Sequence, residues 1–521
     1  MRKQYKIFTG KGVVEKEFNY IPVRYLIAVL MAVIEIALII GIVLLLCYYV
    51  PLFFALCVIS CTICIVKIIS SDDNPDYKVP WLIFVIAIPI VGAMLYAMFY
   101  SRKLKRRYIK RIEETRIYGY EFDDADNFDR LRGEDIAAAS QAKMLKDISY
   151  SHLFANTKTD YFSSGKAMSE SLIRDLTEAE SFIFLEFFII EEGKFWNSIL
   201  DVLKSKVNAG LDVRVMYDDI GCMSTLPGNY YKILEKYGIK TAIFSKLRGS
   251  ADSEFNNRSH RKIAVIDGRI AYTGGVNIAD EYIGERMRFG YWKDSGIRLE
   301  GEAVRELTKL FLSSFALNTR TLPELPDKAY PDLKEYDTVG YVIPFGDGPR
   351  PIYKRNVAKS AIQNMIGSAN RYVYMTTPYL IIDNDLCADI ERAALRGVDV
   401  RIVLPHIPDK RIVFAISRTF YHRLMDAGVK IYEYEPGFIH AKTYVADDKY
   451  AIVGTVNLDY RSLVHHFEDG VWMYRTDSVK DIKNDVDEVI DKSIRVTPDM
   501  IKTGALRRFL RALVRIFAPM L

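Results

Sequence analysis

The chain has 521 residues, of which 50% are hydrophobic and 26% charged, and its formal net charge is +5. This balance excludes a disordered chain and leaves room for two or three domains. The modest charge does not require a nucleic-acid partner, although it suits an anionic membrane surface. The six cysteines form no cluster with zinc-ligand spacing, so we expect reduced thiols, no disulfide framework and no metal centre.

Three apolar runs occupy the first hundred residues, at 25–48, 51–69 and 79–100. Each is near the length of about 20 residues that a helix needs to cross the hydrocarbon layer. Residues 1–107 are therefore predicted to form a membrane anchor with two or three hydrophobic segments. The first run is too long for the apolar core of a signal peptide and is not followed by a small-residue cleavage site, so we expect it to be retained.

The charges around these runs give conflicting signals about topology. The basic stretch 101–107 predicts that everything after it is cytoplasmic, and the acidic loop 71–76 would then lie outside. The N-terminus is also basic and looks cytoplasmic, yet three full crossings place the two ends on opposite sides. Either the first two runs form a re-entrant hairpin or one run does not span. We expect a multi-pass protein of the cell membrane with its later domains on the cytoplasmic side.

An α/β unit occurs twice between residues 140 and 500. Each copy has an apolar strand, a helix that ends at a glycine, and a second strand, which together indicate a parallel or mixed sheet covered by helices. The strands are predicted at 181–188 and 211–216 in the first copy and at 371–375 and 398–403 in the second.

The predicted architecture is α/β, with two tandem mixed-sheet domains related by a pseudo-twofold axis and preceded by transmembrane helices. The domains are expected at 140–320 and 336–500, with linkers at 108–139 and 321–335. A basic amphipathic tail follows at 501–521. That tail either lies on an anionic lipid surface or packs on the second domain with its arginines solvated.

The pattern H-x-K-x-x-x-x-D appears once in each copy. Its members are His260, Lys262 and Asp267 in the first copy and His440, Lys442 and Asp447 in the second. The period of two in a strand places each histidine and lysine on one face. Each aspartate begins a tight turn, and we expect turn formation to be its main role within the catalytic motif.

Glycine and asparagine residues follow the two motifs at identical spacing. They are Gly274 and Asn277 in the first copy and Gly454 and Asn457 in the second. A lone histidine on a strand is usually a packed or solvated side chain. The repetition of the whole segment favours a functional pair instead.

Two imidazoles and two lysines that face each other across a pseudo-twofold axis suit chemistry at a phosphodiester. The lysines can neutralise the negative charge of the phosphate as the transition state forms. One histidine can attack phosphorus, and the other can protonate the leaving alkoxide and then deprotonate the incoming alcohol. This arrangement requires no metal or other cofactor.

These residues resemble the phospholipase D superfamily, and more closely the bacterial cardiolipin synthases, over nearly the whole chain. The most specific matching stretches are 292–294, 348–349, 377–379, 438–442, 454–462 and 467–468. The resemblance implies that two phosphatidylglycerol molecules in the membrane become cardiolipin and glycerol through a phosphohistidine. Two substitutions depart from the family pattern, because Lys293 stands where arginine is usual and His466 where asparagine is common.

The resemblance also implies roles for individual residues. Asp294 and Glu468 would hold the histidine rings, and Lys262, Lys442, Asn277 and Asn457 would contact phosphate. His260 would be the nucleophile and His440 the acid/base, although pseudo-symmetry leaves this order open.

Other functions use the same features. The runner-up is a phospholipase D-type hydrolase or a phosphatidyltransferase with another alcohol acceptor. A nuclease is disfavoured because the chain has an apolar anchor and lacks a basic face interleaved with aromatic residues, so we expect no nucleic-acid partner. A non-enzymatic membrane scaffold would predict decay of one motif, and both motifs are complete. An oligomer is compatible with the sequence but does not follow from it.

Overall fold

The computed structural model describes residues 2–9, 12–19, 23–97, 110–111, 113–246, 257–319, 322–326, 328–502 and 504–517. Its helices are α1 (Val23–Tyr49), α2 (Pro51–Ser70), α3 (Pro75–Ala87), α4 (Pro89–Leu95), α5 (Ala125–Glu134), α6 (Ile136–Ser149), α7 (Gly165–Glu178), α8 (Lys194–Asn208), α9 (Tyr230–Lys236), α10 (Val304–Asn318), α11 (Val357–Ser368), α12 (Asn384–Leu395), α13 (Arg411–Asp426), α14 (Asp477–Asp491), α15 (Pro498–Ile501) and α16 (Ala505–Ile516).

The strands fall into an N-terminal hairpin and two larger groups. The hairpin is β1 (Arg2–Thr9) and β2 (Gly12–Asn19). The first group is β3 (Thr157–Phe162), β4 (Phe182–Phe187), β5 (Asp212–Asp218), β6 (Lys240–Phe244), β7 (Lys262–Ile266), β8 (Ile270–Gly274), β9 (Tyr291–Lys293) and β10 (Gly296–Gly301). The second group is β11 (Tyr341–Asp347), β12 (Tyr372–Thr376), β13 (Leu380–Ile381), β14 (Asp399–Pro405), β15 (Lys430–Tyr434), β16 (Gly437–Ile439), β17 (Thr443–Ala446), β18 (Tyr450–Gly454), β19 (Leu458–Asp459), β20 (Glu468–Tyr474) and β21 (Ser493–Arg495).

The first two apolar runs form long helices. Segments Val29–Tyr49 of α1 and Pro51–Ser70 of α2 are each long and apolar enough to cross a membrane. Most of their large apolar side chains face outwards, among them Leu44 and Leu52. A surface of this kind is stable in lipid and costly in water, which supports the prediction of a membrane anchor.

The third apolar run is not one straight helix. It is divided into α3 and α4 at Ile88, where Pro89 begins the second helix. A Cβ on Gly92 would lie 2.3 Å from the carbonyl oxygen of Phe84, whereas residues eight apart in a straight helix are separated by about 12 Å. The run therefore bends back on itself.

The acidic loop at 71–76 lies against the second domain, which corrects the prediction that it lies on the opposite side of the membrane. The Asn74 amide donates to the Asp383 carboxylate at 2.7 Å, and Asp76 accepts from the backbone N–H of Asn384 at 2.6 Å. The Tyr460 hydroxyl also donates to Asp76, at 3.2 Å. The prediction used the basic stretch 101–107, which lies outside the described residues, and assumed that the third run spans.

The two predicted α/β domains are confirmed as two mixed sheets with the same order of seven strands, to which the second sheet adds β21 at one edge. The first sheet runs β3-β10-β8-β7-β4-β5-β6, and the second runs β11-β20-β18-β17-β12-β14-β15-β21. In the first sheet, β4 pairs in parallel with β5 and antiparallel with β7, the strand that follows the motif histidine. In the second sheet, β12 pairs in the same way with β14 and β17. The duplication in sequence is therefore also a duplication in topology.

The two sheets pack against each other through two long helices. Helix α10 follows the first sheet and α14 belongs to the second, and their apolar residues share one core with both sheets. Within it, Phe311 stacks on Phe184 at 4.7 Å between ring centroids. Helix α6 packs on the outer face of the second sheet, so residues 140–149, which the predicted first domain includes, contribute to the core of the other domain.

Candidate active site

Two short segments cross between the domains and set the positions of the motif histidines. The Phe467 carbonyl accepts the backbone N–H of His260 at 2.8 Å, and the Lys293 carbonyl accepts that of His440 at 2.7 Å. The second contact extends into a parallel pair between β9 and β16. Because each segment leads directly to an acidic residue, each histidine meets a carboxylate from the other domain.

The histidine–carboxylate pairs are exchanged between the halves. Nδ1 of His260 lies 2.9 Å from Oε2 of Glu468, and Nδ1 of His440 lies 2.7 Å from Oδ2 of Asp294. Both carboxylates are fully buried, and both histidines are 7% exposed. Each ring is therefore fixed through Nδ1, and no described residue bonds its Nε2, which can form another bond.

Burial determines the charge of these groups. It lowers the pKa of His260 to about 3 and that of His440 to about 4, against the opposing pull of their carboxylate partners. For Glu468 and Asp294, burial acts to raise the pKa, but the facing imidazole and the other donors and cations around each carboxylate together hold the pKa below its ordinary value. Near neutral pH, each ring is therefore neutral, with Nδ1–H directed at a carboxylate and a lone pair on Nε2.

The two motif lysines lie beside the histidines and are completely buried. Nζ of Lys262 donates to the His260 carbonyl at 2.5 Å, and Nζ of Lys442 donates to the His440 carbonyl. Burial lowers the pKa of Lys262 to about 8 and that of Lys442 to about 7. A bound anion would favour the charged form of both, so the site is suited to a phosphate.

The motif aspartates lie at the far ends of their strands, away from the histidines. Asp267 accepts the backbone N–H groups of residues 180, 181 and 182, and Asp447 accepts those of residues 370, 371 and 372. Both have positive φ, 52° and 56°, in the turn that ends the motif strand. These contacts give them the turn-forming role that the sequence predicts as their main one.

We expect Asp267→Ala to lower stability by about 2–3 kcal/mol, because three backbone donors lose their acceptor and alanine tolerates positive φ poorly. In thermal unfolding of the full-length protein, this corresponds to a lower melting temperature by about 5 °C or more. Asp267→Asn, which keeps one acceptor and tolerates this φ, should lose less. Equal stability of both variants and the unchanged protein would contradict this role.

The two predicted phosphate-binding asparagines have different surroundings. Oδ1 of Asn277 accepts the Ile189 backbone N–H at 3.0 Å, and its Nδ2 donates to the Tyr282 hydroxyl at 2.8 Å. Tyr282 in turn contacts His440, with 5.5 Å between ring centroids. Oδ1 of Asn457 has no hydrogen-bond partner among the described residues. Phosphate contact by either amide stays a prediction.

Sequence reasoning missed the residues that support the carboxylates. The Thr455 hydroxyl donates to Glu468, whereas its counterpart in the first half is Gly275. A Cβ on Gly275 would lie 2.0 Å from Oδ1 of Asp294, so glycine leaves room for the closer approach of the shorter acid. The equal spacing of 275 and 455 after the two motifs was a usable signal, but the residue types differ.

The family comparisons agree with this geometry. A family model described as "Cardiolipin synthase, PLD-like domain", in which PLD denotes phospholipase D, matches residues 172–311 and 362–490. The chain belongs to this family. A second model, "Phospholipase_D-nuclease N-terminal", matches residues 59–99. The resemblance stated from the motifs is thereby confirmed.

Individual relatives extend over most of the chain. A cardiolipin synthase from Alkalihalophilus pseudofirmus is 33% identical over 464 residues, covering 87% of this chain and 91% of its own length. An uncharacterised protein from Streptococcus mutans serotype c is 40% identical over 464 residues, covering 88% of this chain and 99% of its own. The crystal structure of a phosphatidylserine synthase from Haemophilus influenzae matches with a TM-score of 0.55 at 14% identity, covering 73% of this chain and 99% of that one, and shows the fold.

Both departures from the family pattern lie close to the histidines. Nζ of Lys293, in the place of the usual arginine, lies 2.8 Å from the Asp485 carboxylate of the second domain. Lysine therefore keeps a charge contact across the domain interface. His466, in the place of asparagine, lies next to His260, with 5.7 Å between ring centroids.

Proposed function

We propose that this PLD-like protein is a cardiolipin synthase that transfers a phosphatidyl group from one phosphatidylglycerol to another and releases glycerol. The observation that carries this proposal is the pair of buried imidazoles, each held at Nδ1 by a carboxylate of the other half, with a lysine beside each. One protein thus supplies a nucleophile, an acid/base and the charge that a phosphodiester requires. The cardiolipin synthase relatives support the lipid substrates.

The proposed reaction has two steps. Nε2 of His260 attacks phosphorus, the bond to the glycerol oxygen breaks, and His440 gives that oxygen a proton. The hydroxyl of a second phosphatidylglycerol then gives its proton to His440 and attacks the phosphohistidine, which frees His260. The bound phosphodiester adds a negative charge beside His440, which favours the protonated ring needed in the first step.

Product analysis tests this function. Purified full-length protein is incubated with phosphatidylglycerol in detergent micelles, and the lipids are then separated, identified and quantified by mass spectrometry. We expect cardiolipin and free glycerol in equal amounts. Phosphatidic acid without cardiolipin would sink the synthase proposal and favour the hydrolase, and a new diester formed only with an added alcohol would favour another acceptor.

The fall of kcat/KM at basic pH, the basic limb of its pH profile, should reflect deprotonation of the two motif lysines. Because Lys442 has a pKa of about 7 and Lys262 of about 8, their positive charge is lost as the pH rises through 7 to 8. We expect kcat/KM to fall over that range. Lys442→Arg, whose guanidinium does not titrate there, should move the limb to higher pH. A limb that stayed in place would show that Lys442 does not set it.

The anchor is proposed to cross the membrane twice. Helices α1 and α2 are the two crossings, and the bent third run, α3 and α4, stays on the side of the second domain. The contacts of Asn74 and Asp76 with that domain support this, because the loop that holds them follows α2 directly. Two crossings place both chain ends on one side, and the basic stretch at 101–107 favours the cytoplasmic side.

Cysteine labelling in whole cells tests the topology. In a cysteine-free background, Tyr49→Cys, between the two crossings, should react with an impermeant thiol reagent in intact cells. Asp73→Cys, in the acidic loop, should react only after permeabilisation. Labelling of Asp73→Cys in intact cells would overturn the two-crossing arrangement.

The division into domains is also a proposal, and the positions of the two main sheets support it. The boundaries at 140–320 and 336–500 enclose the two main sheets, except that residues 140–149 pack on the second sheet, and the linker 321–335 lies between them. The amphipathic tail forms α16, in which Leu506 and Phe509 are exposed while Arg515 stacks on Phe420 of the second domain at 4.1 Å. Phe517 contacts Phe84 of the anchor, with 5.3 Å between ring centroids, so we place the exposed face of α16 at the lipid surface.

A further inference from the structure

A third imidazole lies beside the proposed nucleophile. The side chain of His466 is 10% exposed and lies next to both His260 and Glu468. Neither of its ring nitrogens has a hydrogen-bond partner among the described residues. Two unpaired nitrogens at this depth carry a desolvation cost that a ligand could offset.

Pseudo-symmetry shows that packing alone does not require an imidazole here. His466 precedes Glu468 by two residues, and Trp292 precedes Asp294 by two residues in the other half. The Trp292 ring lies 5.5 Å from His440, much as His466 lies 5.7 Å from His260. An indole, whose N–H has no hydrogen-bond partner among the described residues and no lone pair for a metal, fills this place in one half, and two potential ligand nitrogens fill it in the other.

His260, His466 and Glu468 offer three ligand atoms close enough for small side-chain movements to bring them around one ion. Nδ1 of His260 is 2.9 Å from Oε2 of Glu468, Nδ1 of His466 is 3.7 Å from Oε1, and one ligand atom from each residue lies within 4.8 Å of the others. A tetrahedral zinc ion with bonds of about 2.0–2.1 Å holds its ligand atoms roughly 3.4 Å apart. Two histidines and a carboxylate are a known zinc-binding set that leaves a fourth position open.

The charges around the cluster allow a cation. The ammonium of Lys262 opposes a bound cation, because its Nζ donates to the His260 carbonyl and so brings a positive charge close to the cluster. Buried carboxylates offset that charge, since Glu468, Asp469 and Asp294 all act on Lys262. This cluster could not be found from spacing along the chain, because His260 lies far in sequence from His466 and Glu468.

We infer that His260, His466 and Glu468 form a transition-metal site of the zinc class, and that its occupation switches the enzyme off. The metal binds the Nδ1 lone pair of His260. The proton that Nδ1 carried passes to solvent and Nε2 takes one up, so the ring stays neutral and no proton is released overall. The hydrogen of the neutral ring then lies on Nε2, which loses the lone pair that attacks phosphorus. The metal site goes beyond the proposed function, whereas the switching rests on it.

Metal binding can be measured without lipid. Full-length protein in detergent is titrated with CoCl2, and the visible d–d absorption of the ion is followed, then displaced with ZnCl2. We expect His466→Asn and His466→Gln to weaken binding by about tenfold or more. His465→Asn, a change at the neighbouring histidine, is the matched control and should bind like the unchanged protein. No band in the unchanged protein, or equal affinity in the His466 variants, would overturn the site.

Inhibition is measured separately. Cardiolipin formation is followed at buffered free Zn²⁺, relative to each variant's own metal-free rate, and restored with EDTA. The unchanged protein and His465→Asn should be inhibited at about tenfold lower Zn²⁺ than the two His466 variants. Equal inhibition of all four proteins would overturn the switch. If no protein made cardiolipin, the proposed function would fail while the cobalt titration still decided the site.

Discussion

His260→Asn and His440→Asn each lower cardiolipin formation by at least about a thousandfold, because one removes the nucleophile and the other the proton donor. Nδ1 of each ring is held by a carboxylate, and an asparagine at either position offers no nitrogen lone pair in place of Nε2. The double variant should be little worse than either single one, since the two residues act as a unit. The measurement is turnover of labelled phosphatidylglycerol under saturating and limiting substrate.

The order of the two histidines can be read from the covalent intermediate. With phosphatidylglycerol labelled in its phosphatidyl group and an alkaline denaturing gel, any label that His440→Asn retains on the protein assigns the nucleophile to His260. His260→Asn should then retain none. The reverse pattern would exchange the two roles, and substantial turnover by either variant would contradict the two-histidine mechanism itself.

The fold could be predicted from local patterns because each domain repeats them. Strands and helices alternate with glycine helix ends, and the motif strand ends in a turn whose central residues, Asp267 and Gly268, both have positive φ. The same reasoning could not position α6, because its apolar face fits either domain and only the three-dimensional packing selects the second. Which core a helix joins depends on residues far away in the chain, and the hydrophobic periodicity of the helix carries no information about them.

The anchor shows a similar limit. Hydropathy alone identified three apolar runs, but it does not register the bend at Pro89 or the polar contacts of Asp76 with the second domain. Those contacts place the loop beside the second domain. The positive charges at both ends were the sign in the sequence that three full crossings do not fit two cytoplasmic ends.

The candidate site was predictable in its members but not in its pairing. Asp294 lies nearer in sequence to His260 than to His440, yet its carboxylate holds His440. The exchange follows from the short strand pairing between the halves, in which Trp292 lies opposite Phe438. His466 stood out only as a departure from the family pattern, and its position beside His260 needed the structure.

Glu468→Gln tests the exchanged pairing, and it is the second substitution for which we expect a large effect. The expected loss of kcat is on the order of 10²- to 10⁴-fold. The amide keeps the shape of the side chain but can offer its NH2 to Nδ1 of His260, which moves the ring hydrogen to Nε2 and removes the attacking lone pair. Asp294→Asn should cause a comparable loss through His440. Both are measured as initial rates, with melting temperatures as a check on folding.

Glu468→Gln and Asp294→Asn should slow different steps of the reaction. A difference of this kind shows that the carboxylates position the histidines, because a general loss of protein stability would affect both steps alike. If Glu468 acts through His260, Glu468→Gln forms little labelled enzyme, because attack on phosphorus is slow. Asp294→Asn, which acts through His440, should impair both proton transfers, so the yield of labelled enzyme depends on which transfer is slower. A Glu468→Gln protein that kept more than about a tenth of the original rate would show that the carboxylate does not set the tautomer of His260. The cross-domain pairing would then be structural, and the two halves would need no exchange of acids to form the site.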